Sequence, residues 1–294
     1  MKNDFTYKYQ TVLSDGRYAW STKSFKSQAD LFRYLVEEKD EVLDQRKSMI
    51  KRAEGGLSLI VPVDDVESIF TNKAITPVYA NDKEAGILKR TIIANTYWWL
   101  DSHSDVHIGR YDEGDKAIFS DSIKLRSKRI FPTDQHNNNL DGKIGKSTSI
   151  YEAPISWRAL GVGKTGMTEA LFADAEISKS KNQRRYDDYL NDEIDQHSVS
   201  MVYVDQQLAV NDEDKYPKET KLFNQFISKI GNRQAAEKQG YFFAVFEAKL
   251  IEYSCVLEGS NCLTPTLLPS TDTGKKEPLA STPKASDLLK FYHL

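Results

Sequence analysis

Between Ser27 and Ala53, apolar residues recur among many charges: Leu31, Phe32, Leu35, Val36, Val42, Leu43, Met49 and Ile50. That spacing predicts one or two amphipathic helices. Gly55-Gly56 stops the pattern, and Leu57 to Val63 reads as a short strand ended by Pro62 and two aspartates. From about Gly86 the pattern changes. Ile87–Thr96, Arg129–Asp134, Lys143–Trp157, Thr168–Ile177, His197–Val204 and Tyr241–Leu257 are rich in the β-branched and aromatic residues that suit a pleated, half-buried surface. Helices are predicted over Lys116–Arg126, Asn182–Asp192 and Lys218–Glu237. The two element types do not alternate regularly, which disfavours a doubly wound parallel sheet and predicts an α+β fold: an antiparallel barrel or sandwich flanked by helices. Three zones result: a helical extension over 1–84, a main domain over 85–264, and a Pro/Ser/Thr/Lys-rich tail over 265–294. The extension either packs on the main domain or serves as a docking arm for a partner. The apolar closing octet Asp287–Leu294 either packs back or acts as a short recognition peptide.

Composition narrows the class. The chain has 294 residues, 39% hydrophobic and 28% charged, enough to bury a sizeable core and unlike a disordered polymer. With 40 Lys+Arg against 43 Asp+Glu the net charge is −3, so nucleic-acid binding through phosphate neutralisation is not expected. Two cysteines, Cys255 and Cys262, are too few for a disulfide scaffold or a four-cysteine zinc site and fit a reducing compartment. Neither a signal peptide nor a membrane span is expected, and no cofactor is implied.

Two motifs are set aside. Gly161-Val162-Gly163-Lys164-Thr165 has Arg158 where a phosphate loop needs its first glycine, and reads as a turn between strands. His103 and His107 stand four apart, but in a turn-like stretch without the glutamate of a metalloprotease helix.

The most informative segment is Asp195-Gln196-His197-Ser198-Val199-Ser200-Met201-Val202-Tyr203, which follows a polar helix and then alternates as a strand does. A serine at a strand's start, at the mouth of a barrel, has rigid support behind it and open solvent in front, as a nucleophile requires. If Ser198 is that nucleophile, His197 cannot serve as its base, because adjacent strand side chains point to opposite faces. His136, just beyond the strand Arg129–Asp134, is the natural base.

Four stretches, in order, resemble the HK97-type prohead proteases of tailed phages. Asp101–Phe119 resembles the family's D-x-x-G-D-x-x-x-P-G-A-F region, with Ser104 in place of its glycine. Gln135-His136, followed by Gly142-Lys143-Ile144-Gly145-Lys146, resembles the catalytic histidine and its I/L-G strand. Tyr189–Met201 resembles the nucleophile segment, and Leu250–Asn261 the closing L-x-E-x-S-x-V-x-x-x-A-N strand. The resemblance implies Ser198 as nucleophile, His136 as general base and Glu252 as the acid, on an assemblin-like β-barrel. Where the family has glycine two places after its nucleophile, this chain has Ser200. Asp134, Asp195 and, through a bulge, Glu247 are rivals to Glu252. The implied activity is a serine endopeptidase cleaving scaffold, major capsid protein and itself inside an assembling procapsid in the host cytoplasm, with self-association possible. The competing class is an inactive relative retained as an internal scaffold. A small-ester hydrolase lacks its Gly-x-Ser-x-Gly elbow here.

Overall fold

Phe5, Tyr7 and Tyr9 alternate with polar residues ahead of the helical period of Ser27–Ala53, and the zone opens with strands where only helices followed by a short strand over Leu57–Val63 are expected. In the computed structural model, which describes residues 5–12, 18–51, 75 and 77–268, β1 (Phe5–Val12) and β2 (Tyr18–Phe25) form an antiparallel hairpin. It precedes α1 (Gln28–Glu37) and α2 (Lys39–Lys47). Ser27 caps α1 by accepting the Asp30 N–H at 3.1 Å. Leu31, Phe32 and Leu35 on α1 and Val42 on α2 bury with Tyr7 against Leu208, Val210, Tyr241 and Phe243 of the main domain. The extension is thus packed on the main domain. The strand expected over Leu57–Val63 lies outside the described residues, as do residues 269–294 with the closing octet.

The main domain continues with β3 (Tyr79–Asp82), β4 (Ile87–Thr96), β5 (Asp105–His107), α3 (Ser120–Arg126), β6 (Pro132–Asp134), β7 (Gly145–Ser156), β8 (Met167–Ser178) and α4 (Gln183–Leu190). There follow β9 (His197–Val210), α5 (Pro217–Phe226), α6 (Arg233–Gln239), β10 (Tyr241–Cys255) and β11 (Thr266–Leu267). The fold is α+β. One sheet runs β11-β4-β8-β7, with β3 also on β4. In the other, β9 pairs antiparallel with β10, while β5 and β6 pair parallel with separate stretches of β10. Among the described residues these pairings do not close into one hydrogen-bonded barrel. Trp157, Phe119, Phe172, Phe226, Phe242 and Tyr253 fill the core.

Two expectations shift. The single helix over Lys218–Glu237 is two helices. At the break, the Gly231 N–H donates to the Trp98 carbonyl at 2.7 Å, and a Cβ on Gly231 would lie 2.6 Å from the Trp157 ring. The tail begins later than residue 265, because the Ile93 N–H donates to the Pro265 carbonyl at 3.0 Å and β11 pairs with β4. The glycine of the Ile144-Gly145 pair has a steric cause: a Cβ there would sit 2.0 Å from the Glu176 carbonyl oxygen. No helix among the described residues is long and apolar enough to cross a membrane.

Candidate active site

β6 and β10 run parallel, so the turn after β6 emerges beside the last residues of β10. That turn holds two consecutive residues in left-handed backbone, Gln135 at φ 49° and His136 at φ 58°. Neither is glycine, so the conformation costs energy that surrounding bonds must offset. The Gln135 N–H donates to the Cys255 carbonyl (3.1 Å), the His136 N–H to Ser254 Oγ (2.8 Å), and the Asn137 N–H to the Asp134 carbonyl (2.9 Å). Arg185 braces the turn by donating to Asp134 Oδ1 at 2.8 Å.

Held in this way, the buried His136 ring meets the buried Glu252 carboxylate, Nδ1 to Oε1 at 2.7 Å. Thr133 Oγ1 donates to the other oxygen, Oε2, and Ser254 Oγ donates to it at 3.0 Å. Burial alone would raise the Glu252 carboxyl. The hydrogen bond and charge of His136, with the hydroxyls of Ser200 and Thr133, overcome it and hold the group below its ordinary value. The carboxylate is therefore ionised and its bond with Nδ1 fixes the imidazole.

Ser200 lies directly opposite Glu252 in the β9–β10 register, which shifts between Leu250 and Glu252. Its Oγ is 3.1 Å from His136 Nδ1 and its side chain is fully buried. The pairing of Ser198 with His136 is thereby corrected: the hydroxyl that reaches the ring is that of Ser200. Ser198 shares its strand face but lies two pairs further along, opposite Ser254, without a side-chain hydrogen bond among the described residues. The sequence signal that separates the two serines is their register against Glu252, which a strand read in isolation lacks. Both Ser200 and Glu252 contact Nδ1; Nε2 is buried and without a partner among the described residues.

The rivals fall away from the ring. Asp134 is taken by Arg185, Asp195 is exposed, and Glu247 lies beyond the Leu250/Glu252 shift, opposite Asp205. His197 points to the other face of β9: Nδ1 lies 2.8 Å from the Thr264 carbonyl and Nε2 2.9 Å from the Tyr189 hydroxyl. Burial depresses it to about 4, so it is neutral at pH 7.

The two motifs set aside have structural employment. Lys164 Nζ donates to the carbonyls of Ser228, Lys229 and Ile230 at 2.9–3.0 Å, closing the segment beyond α5. His107 Nδ1 bonds Asn95 at 2.8 Å, and His103 stacks on Trp20 with ring centroids 4.1 Å apart. Ligand atoms of Asp101, His103 and Asp105 do come within 4.8 Å of one another. However, Asp105 is paired with the buried Arg46, and Asp101 Oδ1 accepts the N–H groups of His103 and Asp105 at 2.8 and 2.9 Å. That cluster is a charge-compensated turn.

The chain matches no protein-family model, no curated protein and no solved structure.

Proposed function

We propose that the protein is a serine endopeptidase of the prohead-protease kind, with Ser200 as nucleophile, His136 as general base and Glu252 as the acid. One observation carries this reading: an imidazole, an ionised carboxylate and a hydroxyl, drawn from a strained turn and two paired strands, meet in one buried cluster. Nδ1–H donates to Glu252, which leaves the Nε2 lone pair free to act as base. Attack requires the Ser200 hydroxyl to shift from Nδ1 to Nε2 while Glu252 keeps Nδ1, and unliganded catalytic clusters commonly tighten only with substrate. The Ser200 oxygen then bonds to the peptide carbonyl carbon as its proton passes to Nε2. His136 returns that proton to the leaving amine, and water hydrolyses the acyl-enzyme by the same route.

The substrates in this reading are scaffold, the major capsid protein and the protease itself, within an assembling phage procapsid, and the fold is a variant of the assemblin-like barrel. The support is the resemblance of four ordered stretches, two of which supply His136 and Glu252. A second reading, an inactive relative serving as internal scaffold, is favoured by the contact of both Ser200 and Glu252 with the same ring nitrogen. A fluorophosphonate probe separates the two. Covalent labelling of folded wild type, lost in both Ser200→Ala and His136→Ala, supports the peptidase. Absence of labelling under conditions that also promote assembly supports the scaffold.

A further inference from the structure

β9 carries Ser200 on an outer strand. β10 takes one of its edges along the strand, and at Met201, the next residue after Ser200, a backbone segment from the N-terminal zone meets the other. The Lys51 N–H donates to the Met201 carbonyl at 2.7 Å, and the Met201 N–H donates to the Lys51 carbonyl at 3.1 Å. This reciprocal pair is the hydrogen-bonded unit of an antiparallel ladder. Met49 and Lys51 are buried on either side of the half-buried Ile50, the alternation of an extended segment. The Lys51 side chain lies between the rings of Trp20 and Tyr203, with Nζ 5.6 Å from each centroid. Burial, with Arg46 nearby, pushes its ammonium down to about 7.

A peptidase must present the scissile carbonyl in an extended backbone beside its nucleophile. An edge strand next to that nucleophile does so by accepting the peptide as one more strand. We propose that the outer edge of β9 at Met201 is the docking edge for an extended polypeptide, and that Met49–Lys51 occupies it as an intramolecular stand-in for substrate. The proposal deepens the peptidase reading and rests on it. Because the pairing is made by backbone groups, the partner is an unfolded or linker-like polypeptide segment rather than a compact ester. Substrate must displace Lys51, and its apparent affinity is the intrinsic one multiplied by the fraction of molecules in which the edge is vacant.

The test removes chemistry by using Ser200→Ala throughout. Lys51→Pro deletes the N–H that bonds Met201, and Lys51→Ala keeps that N–H while deleting the buried side chain. The probe is a fluorescent peptide copying residues 46–53, followed by polarisation, with hydrogen exchange of the Met201 amide as a second readout. Expected results are faster Met201 exchange in both Lys51 variants, peptide affinity raised about tenfold or more in Lys51→Pro, and renewed protection when peptide is added. Unchanged Met201 exchange, or equal peptide affinity in all three proteins, overturns the proposal. If Lys51→Pro loses its circular-dichroism signature, the Lys51→Ala comparison decides alone. Fluorophosphonate labelling of Ser200 in otherwise native protein is scored separately. Peptide docking without labelling defeats the peptidase reading but not the edge, and labelling without docking does the reverse.

Discussion

Replacing Ser200 and Ser198 one at a time tests the assignment most directly. Ser200→Ala removes a fully buried hydroxyl that contacts His136 and helps hold Glu252 ionised. A hydrogen bond to a charged group contributes about 1.5–3 kcal/mol. Glu252 keeps His136, Thr133 and Ser254 as partners, so the expected cost is at the low end, about 1–2 kcal/mol. Against a total stability of roughly 5–15 kcal/mol the variant remains folded. At about 2–4 °C per kcal/mol, Tm falls by roughly 2–8 °C. Ser198→Ala removes a hydroxyl with no hydrogen-bond partner among the described residues, and its Tm stays within a degree or two of wild type, roughly 0.5 kcal/mol. The assay is fluorophosphonate labelling read by intact mass, with fragmentation to place the adduct. The expected adduct is on Ser200 in wild type and Ser198→Ala, and absent in Ser200→Ala. An adduct on residue 198, or full labelling that survives loss of the hydroxyl at 200, would refute the geometric argument.

Glu252→Gln preserves shape but removes the charge that fixes the imidazole, so labelling should slow by about 10³–10⁴-fold. The native Glu252 pKa lies below its unfolded value, so its stabilisation is fully present above the ordinary carboxylate range near 4 and is lost as pH falls through the lower, folded value. The urea-midpoint difference between wild type and Glu252→Gln should accordingly be larger at pH 7 than at pH 3. His197 is held neutral at about 4 against an unfolded value near 6.5. In that window the unfolded chain binds more protons, and stability drops by roughly 3 kcal/mol on acidification from about pH 6.5 to 4. His197→Phe should flatten that slope in a pH series of urea midpoints, and an unchanged slope would exclude His197 as its source. Gly145→Ala drives a Cβ into the Glu176 carbonyl, with an expected loss of about 1–3 kcal/mol by thermal melting. A neutral result would mean that β7 and β8 separate freely.

Much of the strand framework was legible because strands reveal themselves by residue type and alternation. Ile87–Thr96 matches β4 at both ends, and the expected starts of β9 and β10 match at His197 and Tyr241. The N-terminal hairpin is hard to read because aromatic residues take every second position only over Phe5–Gln10 in one strand and over Tyr18–Ser21 in the other, while the stronger helical period of Ser27–Ala53 dominates the zone. The break between α5 and α6 was invisible because its cause, two indole rings packed over Gly231, comes from Trp99 and Trp157, far away in the chain. His136 and Glu252 were accessible through motif order, whereas the buttressing role of Thr133, Ser254 and Arg185 needed the parallel β6–β10 pairing to become visible.

The serine assignment shows where one-dimensional reading stops. Periodicity two places residues 198 and 200 on the same face, so any argument from alternation treats them alike. Their distinction comes from the partner strand. The register shift between Leu250 and Glu252 sets the carboxylate opposite residue 200, while Ser254 opposite residue 198 is already engaged with Thr133, Glu252 and the His136 N–H. A bulge is a local change of one residue in one strand, yet it decides which hydroxyl of the neighbouring strand meets the imidazole. Deleting Ile251, the extra residue of the bulge, would leave Leu250 opposite Met201 and Glu252 opposite Ser200 in a regular ladder, so fluorophosphonate labelling should survive, and its loss in a variant that retains β-sheet structure by circular dichroism would refute the register argument.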